Sequence, residues 1–359
     1  MRLLSESDVE RLIDTSTAIA AAAEAYRRHS AGIMPPPGRL DLRRRDGRGG
    51  VLVLAGHSFD RLFAVKSNVH AYPDPASDRR NAASLLVLWD AVACMPLALI
   101  ATTGFNNHRT AAGFAAATER LASPNSRTLA VFGAGKIAPT TIRYLASVRP
   151  FDRILIVGRG SERARQLAEA ARRWPNFGSI AVNSESDPVR AAQAADVIAA
   201  VTTSDHPVFP GAAVKPGAFV ILGGANRPHA READDALIRR ARIYVDHLDG
   251  CFERAGDLSI PHASGALRRD RIAGEIGRLF AGQAEPRVPG ADVTVFKSIG
   301  IAAQDLVLAE TLFARAESRG IGVLFDPRSG AVERVATPDR AGPDDPAEPV
   351  VGMPGGVRP

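Results

Sequence analysis

Apolar residues in this chain fall into two kinds of pattern. From residue 128 to about 300 they form short runs of three to six, at 128–132, 154–157, 179–182, 197–202, 219–222, 243–245 and 293–297. Between these runs lie stretches at helical spacing, at 161–173, 188–194 and 234–240. Buried strands alternating with helices predict a doubly wound parallel sheet. A further short helix is expected near 270–280 and a long one over 298–318. The first hundred residues differ: an amphipathic helix over 5–29 precedes strands at 39–41, 50–55, 62–68, 84–89 and 96–102, a mainly antiparallel sheet behind one helix. An alanine-rich helix, 107–122, leads into the first parallel strand.

The junction at 128–138, Thr-Leu-Ala-Val-Phe-Gly-Ala-Gly-Lys-Ile-Ala, reads as strand, tight turn and helix. Gly133 allows the turn, Gly135 lets the backbone approach a pyrophosphate, and Ala138 lets helix and strand pack closely. Lys136 and Ile137 complete the turn, and the helix N-terminus offers free N–H groups to an anion. The next strand ends in Val157-Gly158-Arg159-Gly160-Ser161-Glu162-Arg163, with no carboxylate at the position that holds an NAD ribose. Arg159, Ser161 and Arg163 suit the 2′-phosphate of NADP(H), which is the favoured cofactor, with NAD(H) as the alternative. On the plainer reading Ser161 caps the next helix and the arginines are solvated. Thr202, Thr203 and Ser204 end a later strand, either against the cofactor or as a capped turn.

Composition narrows the class. The chain has 359 residues, is 45% hydrophobic and carries a net charge of +6, enough for two domains with buried cores. Its arginines are scattered rather than gathered with aromatics, which argues against nucleic-acid binding. No apolar run approaches the ~18 residues a membrane span needs, so a cytoplasmic protein is expected. Cys94 and Cys251, its two cysteines, lack metal-ligand spacing, and no metal site is expected. Three cations at the edges of predicted strands, Arg39, Lys66 and Arg109, are of the kind that holds a small carboxylate; on the plainer reading from spacing alone each is a surface charge.

The chain resembles the ornithine cyclodeaminase/mu-crystallin family. The resemblance is carried by Val65-Lys66, Trp89-Asp90 with Pro96-Leu97-Ala98, His108-Arg109-Thr110-Ala111-Ala112, the Gly133 turn, Thr202-Thr203-Ser204 and Gly224-Ala225-Asn226-Arg227-Pro228. It continues through Arg231-Glu232, Val245-Asp246, Ala255-Gly256-Asp257 and Val295-Phe296-Lys297-Ser298-Ile299-Gly300. It implies a homodimer whose Rossmann domain, 119–298, is inserted in an α+β substrate-binding and dimerisation domain, 1–118 with 299–330. The tail, 331–359, is rich in Pro, Gly, Asp and Arg, and its composition predicts disorder. It places Arg39, Lys66 and Arg109 on the substrate carboxylate, with Lys66 and Arg109 catalytic. The substrate it implies is a small imine or amino acid bearing a carboxylate.

Two departures bear on the reaction. Cyclodeaminases of the family carry an aspartate just after the glycines near Gly223 and a glutamate on the strand preceding the lysine. Here those places hold Ala225-Asn226 and the apolar run Val51–Leu54. A diamine needs carboxylates to orient and deprotonate its nitrogens, so the expectation is NADP(H)-dependent reduction of a ketimine or cyclic imino acid such as pyrroline- or piperideine-2-carboxylate. The alternatives are cyclodeamination or alanine dehydrogenase-like deamination with NAD, a siderophore-precursor-type synthase, and a mu-crystallin-like binding protein without turnover. His108 is a candidate proton donor or a surface histidine, and His70, Tyr72 and Asp74 are candidates for shaping the pocket.

Overall fold

The computed structural model describes residues 1–34, 38–58, 61–71, 81–285 and 292–334. Two eight-stranded sheets organise them. In the nucleotide sheet the strand order is Ala181–Ser184, Arg153–Val157, Thr128–Phe132, Val197–Ala200, Phe219–Leu222, Val293–Lys297, Ala241–Val245 and Ile272–Glu275. Every pairing is parallel. The chain winds outward from Thr128–Phe132, then returns to place Val197–Ala200 on that strand's other side. This reversal opens a crevice at the carboxyl ends of the two strands, the usual seat of a dinucleotide.

The second sheet runs Val332–Arg334, Val323–Phe325, Arg2–Leu4, Met95–Ala101, Asn81–Asp90, Leu62–Ala71, Gly49–Ser58 and Gly38–Arg43. Its strands pair antiparallel except Arg2–Leu4 with Met95–Ala101. The strand Val332–Arg334 corrects the expectation of disorder from residue 331; residues 335–359 lie outside the described residues, as do Tyr72 and Asp74.

Helix Phe105–Leu121 is built from small residues because it is buried along most of its length. At Gly113 a Cβ would come within 2.5 Å of both Tyr26 Oη and Gln304 Nε2, so helices Thr15–Ser30 and Ala302–Arg319 meet it there without a side chain between them. The long C-terminal helix thus returns to the N-terminal half, where Arg28 pairs with Glu310 at 3.1 Å and Arg315 with Asp14 at 2.6 Å.

Several boundaries differ from the expected ones for local reasons. The helix expected over 5–29 is two, Glu6–Leu12 and Thr15–Ser30, because Asp14 turns its side chain onto Thr17 N and caps a new helix. The helix expected near 270–280 is instead strand Ile272–Glu275 followed by the single turn Gly277–Phe280. Gly274 sits at φ 139°, a conformation no helix uses, and the strand gains its partner from Ala241–Val245. Helices Leu248–Arg254 and Gly256–Ala263 escaped the sequence reading, since the glycines and Pro261 break their periodicity. No helix among the described residues is long and apolar enough to cross a membrane.

Candidate functional site

Alternation along strand Leu62–Ala71 sends Lys66 to the helix-covered face of its sheet, where the Leu86 and Ile100 of neighbouring strands are fully buried. Lys66 is itself only 5% exposed. Its Nζ donates to Asp305 Oδ1 at 2.7 Å and to Asn106 Oδ1 at 2.9 Å. The same carboxylate receives Arg109 Nε at 3.0 Å and Arg109 Nη2 at 2.7 Å, and Nη2 also reaches Ile301 O at 3.2 Å. One buried aspartate therefore holds two cations that lie far apart in the sequence. One N–H of Lys66 and both on Arg109 Nη1 have no acceptor among the described residues.

Burial opposes ionisation of Asp305, but Arg109 and Lys66 outweigh it and hold the carboxyl below the usual range. Burial, aided by Arg109 and resisted by Asp305, lowers the Lys66 pKa. The cluster is net cationic, as an anion site requires.

The cluster stands against the carboxyl edge of the nucleotide sheet. Gly300, three residues past strand Val293–Lys297, lies at φ 76°, and a Cβ there would collide with Arg109 Nη1. Gly223, just past Phe219–Leu222, similarly makes room for the ring of Phe114, one helical stretch beyond Arg109. The loop between strand and helix is held by Asp246, which accepts from Ser298 Oγ (2.8 Å), Ile299 N (2.9 Å) and Gly300 N (2.7 Å). This explains why the helix expected from Ser298 starts only at Ala302.

Arg39 is not in contact with the cluster. It pairs with Leu54, and Leu54 with Lys66, so Arg39 shares their face two strands away, about 9–10 Å along the sheet. It is exposed at the sheet's edge. His108, the candidate proton donor, is turned elsewhere. Its Nδ1 lies 2.8 Å from Tyr144 Oη and its Nε2 3.2 Å from Glu10, so both ring nitrogens are engaged in joining helices.

The nucleotide crevice is shaped as the motif anticipates. Gly133 has φ 114°, and a Cβ would approach Val201 O to 2.7 Å; at Gly135 a Cβ would meet nothing within 4 Å. Lys136 is exposed and Ile137 half-buried between that open turn and the helix Ala138–Val148, whose N-terminus has no side-chain cap. These features fit a dinucleotide pyrophosphate. Arg159, Ser161 and Arg163 are exposed past strand Arg153–Val157. Gly160 is the N-cap of the following helix, so capping does not occupy the Ser161 hydroxyl. The intervening Glu162 is taken by Arg165 at 2.8 Å and Gln166 at 2.5 Å.

Thr202 and Ser204 are half-buried and Thr203 exposed at the end of the strand beside the crevice. Glu232, fully buried, accepts from Thr202 N (2.6 Å), Thr202 Oγ1 (2.9 Å), Gly224 N (2.7 Å) and Ala225 N (3.2 Å). It thereby clamps two strand ends. Behind it Lys297 donates to Asp257 Oδ2 at 2.8 Å and to Ala225 O, and Asp257 accepts from Glu232 N at 2.6 Å. These acids serve the backbone.

A second polar cluster, His29, His247 and Glu275, brings potential ligand atoms within 4.8 Å of one another. His29 Nδ1 donates to Met34 O at 3.0 Å, while His247 Nδ1 accepts from Gly250 N at 3.1 Å. A neutral His247 thus keeps its proton on Nε2, and Glu275 is held by Leu248 N and Ser30 Oγ. The arrangement ties helix Thr15–Ser30 to the nucleotide sheet.

Asp305 was missed from sequence. Its signal was a lone acid on the apolar face of a helix, next to Gln304 and among Ala302, Leu306 and Ala309.

A sequence profile of the ornithine cyclodeaminase/mu-crystallin family matches residues 1–320. A Delta(1)-pyrroline-2-carboxylate reductase of Bacillus cereus is 27% identical over 325 residues, covering 90% of this chain and 98% of the relative. Among solved structures, the Thermococcus litoralis Delta(1)-pyrroline-2-carboxylate reductase in complex with NADH and L-proline superposes with a TM-score of 0.82 at 27% identity, over 90% of this chain and 99% of that one. An archaeal alanine dehydrogenase dimer with bound NAD reaches the same TM-score at 23% identity, over 90% and 98% of the two chains, and shares the fold.

Proposed function

The chain belongs to the ornithine cyclodeaminase/mu-crystallin family, and from that premise we propose that it is a nicotinamide-dependent reductase of small imino acids, acting at the carbon beside a carboxylate. One observation carries this reading: the buried cluster of Lys66, Asp305 and Arg109 meets the carboxyl edge of the nucleotide sheet with N–H groups still unused. The Bacillus cereus relative is a pyrroline-2-carboxylate reductase, and that substrate belongs to the class such a site fits. Cyclodeamination is less well supported. The place for its carboxylate is the buried Ala225, and the nearby Glu232 is saturated by backbone and hydroxyl donors.

Gly133, Gly135 and the turn Lys136-Ile137 would hold the pyrophosphate, with Thr202, Thr203 and Ser204 along the nicotinamide side. The cofactor, when bound, supplies a hydride to the imine carbon while a proton goes to nitrogen, giving the amine and oxidised nicotinamide. Arg109 Nη1 and Arg39 bind the substrate carboxylate. Lys66 offers its remaining N–H to the imine nitrogen, and its lowered pKa eases the proton's release. The test is cofactor oxidation, followed by absorbance, with pyrroline-2-carboxylate and piperideine-2-carboxylate. Ammonia released from ornithine without net cofactor change would instead establish a cyclodeaminase.

NADP(H) is the proposed cofactor, because Arg159, Ser161 and Arg163 are exposed without partners among the described residues and Glu162 is engaged by Arg165. Both solved neighbours hold the unphosphorylated cofactor, so this chain would differ from them here. Loss of one charge-assisted contact in Arg159→Ala is expected to shift the kcat/KM ratio about tenfold toward NADH. A wild-type preference for NADH would refute the assignment.

We also propose a homodimer, with residues 1–118 and 299–330 as the substrate-binding and dimerisation domain around a nucleotide domain of 119–298. On the sheet face opposite Lys66, Phe63, Val65, Val69 and Leu85 are each 40–52% exposed. An apolar patch of this kind marks an interface, and a second copy of the same twisted sheet would cover it. Val65→Asp is expected to convert dimer to monomer by light scattering; an unchanged dimer would place the interface elsewhere.

A further inference from the structure

Asn106 stands in the first turn of helix Phe105–Leu121. An asparagine there ordinarily turns its side chain back onto the free N–H groups of the helix start, and this one does not. The helix start has no side-chain cap of its own. It is held by Glu6, which accepts from Thr103 N at 3.2 Å and from Gly104 N at 3.0 Å. The Asn106 side chain is spent on the site instead, where its Oδ1 accepts from Lys66 Nζ at 2.9 Å. An ammonium only donates, so the amide must present its oxygen to it.

Arg109 lies three residues on, over the same face of the helix, and binds Asp305 Oδ2 while Lys66 binds Asp305 Oδ1. The contacts close a ring, from Asn106 to Lys66, to Asp305, to Arg109 and back along one helical turn. An ammonium with a single acceptor spins about its Cε–Nζ bond. Two acceptors, Asp305 at 2.7 Å and Asn106 at 2.9 Å, fix two of its three N–H directions and with them the third.

The choice of an amide over an acid matters as much. The charged groups acting on Lys66 among the described residues are Asp305 from helix Ala302–Arg319 and Arg109 from helix Phe105–Leu121, and the strands on either side pair it with Leu54 and Leu86. A second carboxylate would leave two cations against two anions, with no surplus for a substrate carboxylate. A neutral carbonyl holds the ammonium and keeps that surplus.

We propose that Asn106 is the positioning residue of the Lys66 ammonium, its carbonyl acting with Asp305 to aim the third N–H at the substrate nitrogen while the cluster stays cationic. This rests on the reductase reading for the step it serves, though its effect on Lys66 is measurable without turnover.

The chain has four lysines, at 66, 136, 215 and 297, so protein labelled with carbon-13 at the lysine Cε gives few enough resonances for Lys66 to be assigned by its loss in Lys66→Met. The titration midpoint of that resonance is expected to rise by about one pH unit or more in Asn106→Asp, where a carboxylate favours the ammonium, and to fall in the near-isosteric Asn106→Leu, where the ammonium loses an acceptor. With NADPH and pyrroline-2-carboxylate the alkaline limb of kcat/KM should move the same way in each variant. The kinetic constants should separate: kcat about tenfold lower in Asn106→Leu with little change in KM, and KM about tenfold higher in Asn106→Asp. A residue that served only the helix start would lower thermal stability and leave resonance and limb at their wild-type positions, and that result would overturn the proposal. So would a shifted resonance with an unmoved limb. Shifted midpoints without oxidation of NADPH by any imino acid would instead overturn the reductase reading and leave the coupling of Asn106 to Lys66 standing.

Discussion

Asp305→Ala is expected to destabilise the protein by about 3–5 kcal/mol, the cost of leaving buried charge without its partner. The wild-type carboxylate is 2% exposed and answers two cations at once, Arg109 through two N–H groups and Lys66 through a third. Its removal would leave an ammonium and a guanidinium facing each other across a cavity. Urea denaturation reads the loss as a lower midpoint. The effect also has a pH signature. Because the folded pKa of Asp305 lies below the ordinary carboxylate value, its contribution is fully present above about pH 4–5 and is lost as pH falls through the folded value. The gap between wild type and variant should therefore be constant near neutrality and shrink in acid. A variant of wild-type stability at pH 7 would mean that Lys66 and Arg109 are satisfied by other groups.

Lys66→Met is expected to lower kcat/KM for an imino acid by about 10²–10⁴-fold, the usual range for a positioned proton donor, while leaving much of the stability. The asymmetry follows from the geometry: without Lys66, Asp305 still forms its two-point pair with Arg109, so no charge is stranded. Cofactor affinity, measured by fluorescence of the reduced nicotinamide, should change little, since the Gly133 turn belongs to the other sheet. In the wild-type protein kcat/KM should fall as pH rises through the lowered pKa of Lys66, at a pH below the ~10.4 of a free lysine. If Lys66→Met retains activity and the same alkaline limb, the proton comes from another group.

The two halves of the chain were not equally legible. Strands Phe219–Leu222 and Val293–Lys297 and helix Pro188–Ala194 lie where the apolar runs and helical spacing put them, because a parallel strand covered on both faces must be apolar throughout. Three-residue strands such as Arg2–Leu4 and Val332–Arg334 carry no such pattern. They exist because an open sheet edge supplies hydrogen bonds, and those edges belong to residues far away in the sequence.

The site divides along the same line. Local chemistry was enough for the nucleotide turn, since glycine conformation and helix start are properties of neighbouring residues; for Arg39, Lys66 and Arg109 spacing left a surface charge as the plainer reading, and the family resemblance was what placed them on a substrate carboxylate. The sequence by itself therefore determined a dinucleotide crevice and three candidate anion-binding groups, Arg39, Lys66 and Arg109. Only the tertiary structure decided that one carboxylate, 196 residues from Arg109 and 239 from Lys66, binds both. It also decided that Glu232 is spent on backbone N–H groups and that His108 faces away. Charges act through space with a reach of a few ångströms, and which charges come within that reach is set by how the two sheets close on each other.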